Sequence, residues 1–314
     1  MKVMGVPFNS AGRPDGVARA PQALRDAGLI ARLRRLHPSA SPPGPMVRDC
    51  GEVEVGVLYP ERDTHSGLRA LASLEALTTS VRDAVAECTR GGDTALVVGG
   101  DCPVLLGSLR GASDVIGDIG LLFVDGHEDA WPPALSTTGE AADCELGLAL
   151  GMHREDLPMP LAQLLPTLDP GAVVVLGPRD ADDLAANGIP SIADRVLVHT
   201  DDDLRAGGDN VAEFASDATD RILHRVEHWW LHVDLDVLSA DALPAVDYPQ
   251  PAGLTWSQLE SLTSTALRAP GCVGITLCIF NPALDPDTLH AGRIVEYLGR
   301  MCSLLPPTVG DLLL

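Results

Sequence analysis

A chain of 314 residues with 46% hydrophobic content can bury a large core, which argues against intrinsic disorder. Its 22 basic and 44 acidic residues leave a formal charge of −22, and no basic patch could offset that field to hold nucleic acid. The same charge fits a preference for cations, either metal ions or a basic substrate, although much of it serves solubility as acidic surface.

The first apolar run, KVMGV (2–6), reads as a strand. SASPPGPM (39–46) is rich in Pro, Ser and Gly but short, so it reads as a loop rather than a domain boundary. LRALASLEALTTSVRDAVAECTRGG (68–92) places apolar residues at helical spacing and ends on a Gly pair suited to a C-cap, predicting a helix. The strand ALVVG (95–99) runs into Gly100, Asp101, Cys102 and Pro103, and a helix starts there. IGLLFVD (119–125), AVVVLG (172–177) and RVLVHT (195–200) are further strands. DNVAEFASDATDRILHRVEH (209–228) opens on an Asp-Asn cap candidate and carries its basic residues late, as the helix dipole prefers. WWLHVD (229–234) is a strand, TWSQLESLTSTALRA (255–269) a helix starting on a Thr cap, and CVGITLCIF (272–280) the last strand. Strands apolar on both faces and alternating with helices indicate a mostly parallel sheet covered on both sides. Without an internal repeat or a linker, the expectation is one α/β domain with seven or eight strands in an open sheet.

The cysteines, at 50, 88, 102, 144, 272, 278 and 302, are odd in number, widely spaced and never form a CxxC pair. That pattern is neither a disulfide framework nor a zinc ribbon, and it points to a reducing cytoplasm. Gly5 and Pro7 interrupt the N-terminal segment before a signal peptide could develop, and no apolar run approaches the roughly 20 residues of a membrane helix.

Three strand ends are acidic. ALVVGG ends in Asp101-Cys102, LLFV in Asp125-Gly126-His127-Glu128-Asp129, and WWLHV in Asp234-Leu235-Asp236. In open α/β sheets the chemistry sits beyond the carboxyl ends of the strands. Alternate residues of an extended segment point the same way, so Asp125, His127 and Asp129 can converge on a divalent cation, and Asp234 with Asp236 repeats the alternation. Five or six such groups at one sheet edge would cost several kcal/mol through repulsion and desolvation unless cations compensated, and two divalent ions come close to neutralising them. The competing reading makes these acids helix caps or solvated loop residues. A fourth polar ending, Asp201 to Asp203 after RVLVHT, lacks the alternation and reads as a solvated turn.

These residues carry a resemblance to the arginase and agmatinase (ureohydrolase) superfamily, extending over most of the chain. GVPFNSAGRPDGVARAPQALRDAGL (5–29) is similar to its N-terminal segment, GGDCP to its Gly-Gly-Asp-His block and VDGHEDAW to its Asp-Ala-His-x-Asp block. DLDVLSADALPAVDYPQPAGLTW (234–256) follows the Asp-x-Asp block without a gap. The resemblance implies a single-domain, three-layer α/β/α fold spanning 1–314, with a mostly parallel eight-stranded sheet. It implies two divalent metal ions, usually manganese, one held by Cys102, Asp125, Asp129 and Asp234 and the other by Asp125, His127, Asp234 and Asp236. A hydroxide between the metals would attack the carbon of a linear C–N bond, oriented by Asp129. Within GPRDADD (177–183), Asp182 would help hold the substrate amine. An oligomer, trimeric or hexameric, acting on a small molecule is the corresponding expectation, with neither nucleic acid nor membrane as partner.

Three positions depart from the family pattern. Cys102 replaces a metal-binding His; a thiolate suits Zn2+ or Fe2+ better than Mn2+, unless the thiol is a buried core residue. Ile279 in CIFNP stands where the family has the glutamate that pairs with a guanidinium, which makes that wall apolar and turns attention to hydroxyguanidino, ureido, formimidoyl or amide groups. STTGEAADCELGLALG (136–151) lacks the arginase proton-shuttling His, so Glu140 or Asp143 becomes the candidate acid or substrate contact, unless TGEAAD only starts a helix. His153 and His232 read as structural residues, His232 standing where the family usually has a serine. The expectation is a metal-dependent hydrolase of linear amidine-type C–N bonds. The alternatives are a catalytically silent binding or regulatory relative and, against the DLD motif, a mononuclear zinc deacetylase-type amide hydrolase.

Overall fold

The computed structural model describes residues 1–35 and 47–305. SASPPGPM therefore lies outside the described residues. Among the described residues, eight strands form one sheet: β1 (Lys2–Val6), β2 (Arg48–Glu52), β3 (Ala95–Gly99), β4 (Gly120–Val124), β5 (Val173–Leu176), β6 (Leu197–His199), β7 (Trp229–Asp234) and β8 (Cys272–Cys278). They lie in the order β2-β1-β3-β8-β7-β4-β5-β6, and every pairing is parallel. Every residue of β3, β4, β5 and β7 is buried, so helices cover this sheet on both faces. The fold is a single α/β domain, as expected.

Seven of these eight strands were legible as apolar runs, whereas β2 was not. Its sequence, RDCGE, is mostly exposed at the sheet edge, and its pairing rests on backbone bonds such as Val53 N to Gly5 O at 2.7 Å. The helices expected over 68–92, 209–228 and 255–269 span Leu71–Arg90, Val211–Leu223 and Trp256–Ala266. Thr255 caps the last of these through a reciprocal bond with Gln258, whereas Asn210 makes no capping bond. The acidic run 201–203 is corrected from a solvated turn to a helix start. Thr200 and Asp203 form a capping box for Asp201–Ala206, and the buried Asp201 accepts from Arg205 at 2.7 Å. Among the described residues, no helix is long and apolar enough to cross a membrane.

The centre of the sheet positions the site. The chain passes from β3 to β4 through the helix Val104–Ile116, and the last two strands, β7 and β8, later fill the space between them. Four adjacent carboxyl ends thus deliver Asp101-Cys102, Asp125, Asp234 and Ile279 to one sheet edge.

Candidate metal centre

The end of β3 needs its glycines. A Cβ at Gly100 would run into the carbonyl oxygens of Phe8 and Val17, so the N-terminal segment can cross here only over a bare backbone. Asp101 fastens that crossing by accepting from Ser10 N at 2.7 Å, and burial raises its carboxyl to about 6 despite those bonds. Cys102 follows, 1% exposed, and its Sγ donates to Oδ2 of Asp234 across 2.6 Å. Burial, the Cys278 thiol and Asp234 together push the Cys102 thiol up, so it holds its proton in the metal-free protein.

The segment 125–129 bends at Gly126 and His127, and Asp129 has a left-handed φ of +44°, so it is not the extended run expected. Asp125 and Asp129 are buried and His127 lines the cavity with Asp129, while Glu128 turns away to accept from Ser191 Oγ at 2.7 Å and Ile192 N at 2.6 Å. Gly126 N donates to Asp236 Oδ1 at 3.0 Å, and a Cβ on Gly126 would collide with Arg179 and Asp236. Nδ1 of His127 sits 2.9 Å from Asp236 and 3.7 Å from Asp125. Burial works against a charged imidazole at His127, yet Asp236 and Asp125 outweigh it and hold its pKa well above the usual value. Burial likewise opposes ionisation of Asp236, but His127 and Arg179 bring its carboxyl below the normal range. The other carboxylates go the opposite way. Burial and neighbouring acids raise Asp129 and Asp234 strongly, and burial with Asp236 takes Asp125 to about 6.

Two groups of potential ligand atoms gather here, each with its atoms within 4.8 Å of one another. One comprises Asp125, His127 and Asp236; the other comprises Cys102, Asp125, Glu145 and His232. Asp129 and Asp234 line the same cavity but belong to neither group. Nothing in the sequence pointed to Glu145, and His232, read there as structural, stands in the second of these groups. Glu145 opens the short helix Glu145–Ala149, whose Leu146 and Gly147 amides donate to the Asp129 carbonyl, so its carboxylate is carried beside the strand ends. It is fully buried, and burial followed by Asp125 raises its pKa well above normal. His232 lies on the same face of β7 as Asp234, stacked on Phe123 at 4.8 Å, and burial pulls its imidazole down to about 3.

The cavity above these groups has a volume of about 220 Å³. Its walls include Glu140, Asp143, Asp180, Asp183, Trp131 and Ile279. Asp182 does not reach it. It is exposed on the helix Ala181–Asn187 and lines a neighbouring cleft, whereas Asp180 and Asp183, three residues apart, share the face toward the cavity. Asp143 faces the cavity, but its carboxylate accepts from the hydroxyls of Ser136 and Thr138, which marks it as an anchor of this wall. Arg62 and Arg69 fix the same wall by donating to the Ser136 and Thr138 carbonyls at 2.6 and 2.8 Å. Glu140 accepts from Tyr248 Oη at 3.3 Å, and burial, Asp101 and Asp143 lift its carboxyl to about 7. Ile279 contributes an apolar wall from a backbone φ of +72°, a strained conformation for a β-branched residue, secured by its amide donating to Gly100 O at 2.8 Å.

Divalent cations fit these residues. Asp125 Oδ2, both Glu145 carboxylate oxygens and His232 Nε2 are buried without a hydrogen-bond partner, in a protein interior where such atoms are normally satisfied. They converge on shared points with a thiol and an imidazole, a donor set that binds metal.

The fold and this site define an α/β scaffold that gathers two candidate cation-binding groups at the carboxyl ends of its central strands. The sequence matches the Arginase family over residues 1–299, and the chain belongs to that family. It is 26% identical to the arginase of Bacillus caldovelox over 304 residues, covering 96% of this chain and 97% of the relative. The solved structure of the Bacillus caldovelox arginase superposes with a TM-score of 0.80 at 24% identity, covering 96% of this chain and 97% of that one. Proclavaminate amidino hydrolase from Streptomyces clavuligerus shares the fold with a TM-score of 0.69 at 19% identity, covering 96% and 90%.

Proposed function

We propose that this chain is a metal-dependent hydrolase that cleaves the C–N bond of a linear guanidino, amidino or related ureido, hydroxyguanidino or formimidoyl group. The observation that carries this reading is the buried, unpartnered set of carboxylate and imidazole atoms at the floor of an acidic cavity. Its family membership and its likeness to arginases and an amidino hydrolase support the same class of substrate. Among the expected site residues, Cys102, Asp125, His127 and Asp236 stand in the two candidate cation groups, and Asp129 and Asp234 line the same cavity beside them. When bound there, such cations acidify a water and polarise the electrophilic carbon.

The chain's own residues perform the remaining work. Asp129 lines the cavity and orients the water. Asp180 and Asp183 bind the cationic end of the substrate, taking the part expected of Asp182. Glu140, whose carboxyl is lifted to about 7, hands its proton to the departing amine and regains one from the attacking water, so that one water is consumed as the C–N bond breaks. Ile279 keeps the wall beside the reacting carbon apolar, which favours a less basic group than an arginine guanidinium. The test is a screen of metal-loaded protein against guanidino, hydroxyguanidino, ureido, formimidoyl and amide compounds, reading released urea and ammonia. Turnover that chelation abolishes supports the reading. Protein that binds metal but turns over none of them makes the chain a silent binding relative.

A further inference from the structure

Four buried side chains meet beneath the expected ligand set, and three of them carry atoms with nothing to bond. Cys102, Asp125, Glu145 and His232 are each 1% exposed or less. Their ligand atoms lie within 4.8 Å of one another. A tetrahedral ion with bonds of about 2.0–2.3 Å separates its ligands by roughly 3.3–3.8 Å, so a small contraction closes this cluster on a cation. His232 Nε2 and Asp125 Oδ2 already stand 3.8 Å apart, too far for a hydrogen bond and right for two ligands of one ion.

His232 is held as a metal-binding imidazole is held. Its Nδ1 lies 2.7 Å from Thr276 Oγ1, which also accepts from Trp230 Nε1 at 3.3 Å. With Nδ1–H donating to that hydroxyl, the lone pair of Nε2 faces the cluster, and the Phe123 stack at 4.8 Å fixes the ring plane. Both carboxylate oxygens of Glu145 are buried without a hydrogen-bond partner among the described residues.

We propose that the inner cation of this centre is held by Cys102, Asp125, Glu145 and His232, with Asp125 shared with an outer cation at His127 and Asp236. The inner position offers sulfur and nitrogen and prefers a zinc-class ion; the outer position, richer in oxygen, accepts a harder one. The two positions therefore fill in order, zinc first at the inner one. This rests on the proposed metal-dependent reading and can fail separately from it.

X-ray absorption of the wild-type protein loaded with one equivalent of Zn2+ tests the proposal without a variant. One sulfur and one imidazole nitrogen on the same ion are expected. A shell with sulfur and no imidazole overturns it in favour of Cys102, Asp125, Asp129 and Asp234, and a shell with imidazole and no sulfur overturns the filling order. Protein that takes up no Zn2+ overturns the metal-dependent reading as well. Binding of Co2+ to His232→Gln and Glu145→Gln provides a second measurement. Each variant is expected to fall from two equivalents to one and to lose the thiolate-to-cobalt charge-transfer band, while folded protein keeping both equivalents and the band overturns the proposal.

Discussion

Sγ of Cys102 and Oδ2 of Asp234, carried by the ends of β3 and β7, share one proton across 2.6 Å at the floor of the cavity. Each group alone is pushed toward its protonated form by burial. Removing the proton between them would leave two anions at close range in a dry interior, so a cation bound at Cys102 is expected to displace it.

Replacing the sulfur separates its role as ligand from its role as filler. Cys102→Ser keeps the size and the hydrogen bond to Asp234 but removes the soft donor. Competition dialysis is expected to show a drop in affinity for Zn2+ relative to Mn2+. An equal loss for both metals would mean that the sulfur contributes packing alone.

The direction of the pKa shifts sets the stability of the metal-free protein. Asp101 and Asp125 are raised from 3.8 to about 6, so folding holds their protons more tightly than the unfolded chain does. The stability this gives is complete below about pH 4 and is lost as pH rises through about 6. Thermal melts in chelator are expected to show Tm falling from pH 6.5 to 7.5, above the range where the neutral His232 works the other way, while the difference between zinc-loaded and metal-free protein widens, since cations favour the ionised acids. A metal-free Tm that climbs through this window contradicts the assignment.

Glu140→Gln tests the proton donor. With its carboxyl at about 7, wild-type kcat is expected to fall as pH rises above neutrality. The variant is expected to lose about 10²- to 10⁴-fold in kcat near pH 7 together with that limb of the profile. A variant that retains the limb would assign the acid to another group.

The acid that turns away from the cavity provides a contrast. Glu128→Ala strips the acceptor from the buried Ile192 amide and from Ser191 Oγ, and is expected to destabilise the fold by about 1–3 kcal/mol in denaturant melts. Metal equivalents per chain should stay unchanged. Loss of metal would show that Glu128 does not stand apart from the centre.

The legible parts of this molecule were those encoded locally. Apolar strands ending in Asp125 or Asp234 announce themselves because strand, turn and carboxylate are neighbours in the chain, and the same holds for the Thr255 cap. His232 and Glu145 were not legible in that way. One is a polar residue inside an apolar strand and the other the first residue of a five-residue helix, and each gains its meaning only from what tertiary packing sets opposite it. The reach of Asp182 was not legible for a related reason, because the phase of a short helix decides which of three nearby acids face the cavity, here Asp180 and Asp183. The edge strand β2 has no apolar period to read.

The order of the strands governs when this centre can come into being. β7 and β8 are the last to be synthesised, yet they occupy the middle of the sheet, between β3 and β4. Cys102, Asp125 and Glu145 emerge from the ribosome well before His232 and Asp234, and until the final third of the chain inserts, the early acids stand apart in water without mutual repulsion. The candidate metal groups therefore assemble only with the long-range contacts that close the centre of the sheet.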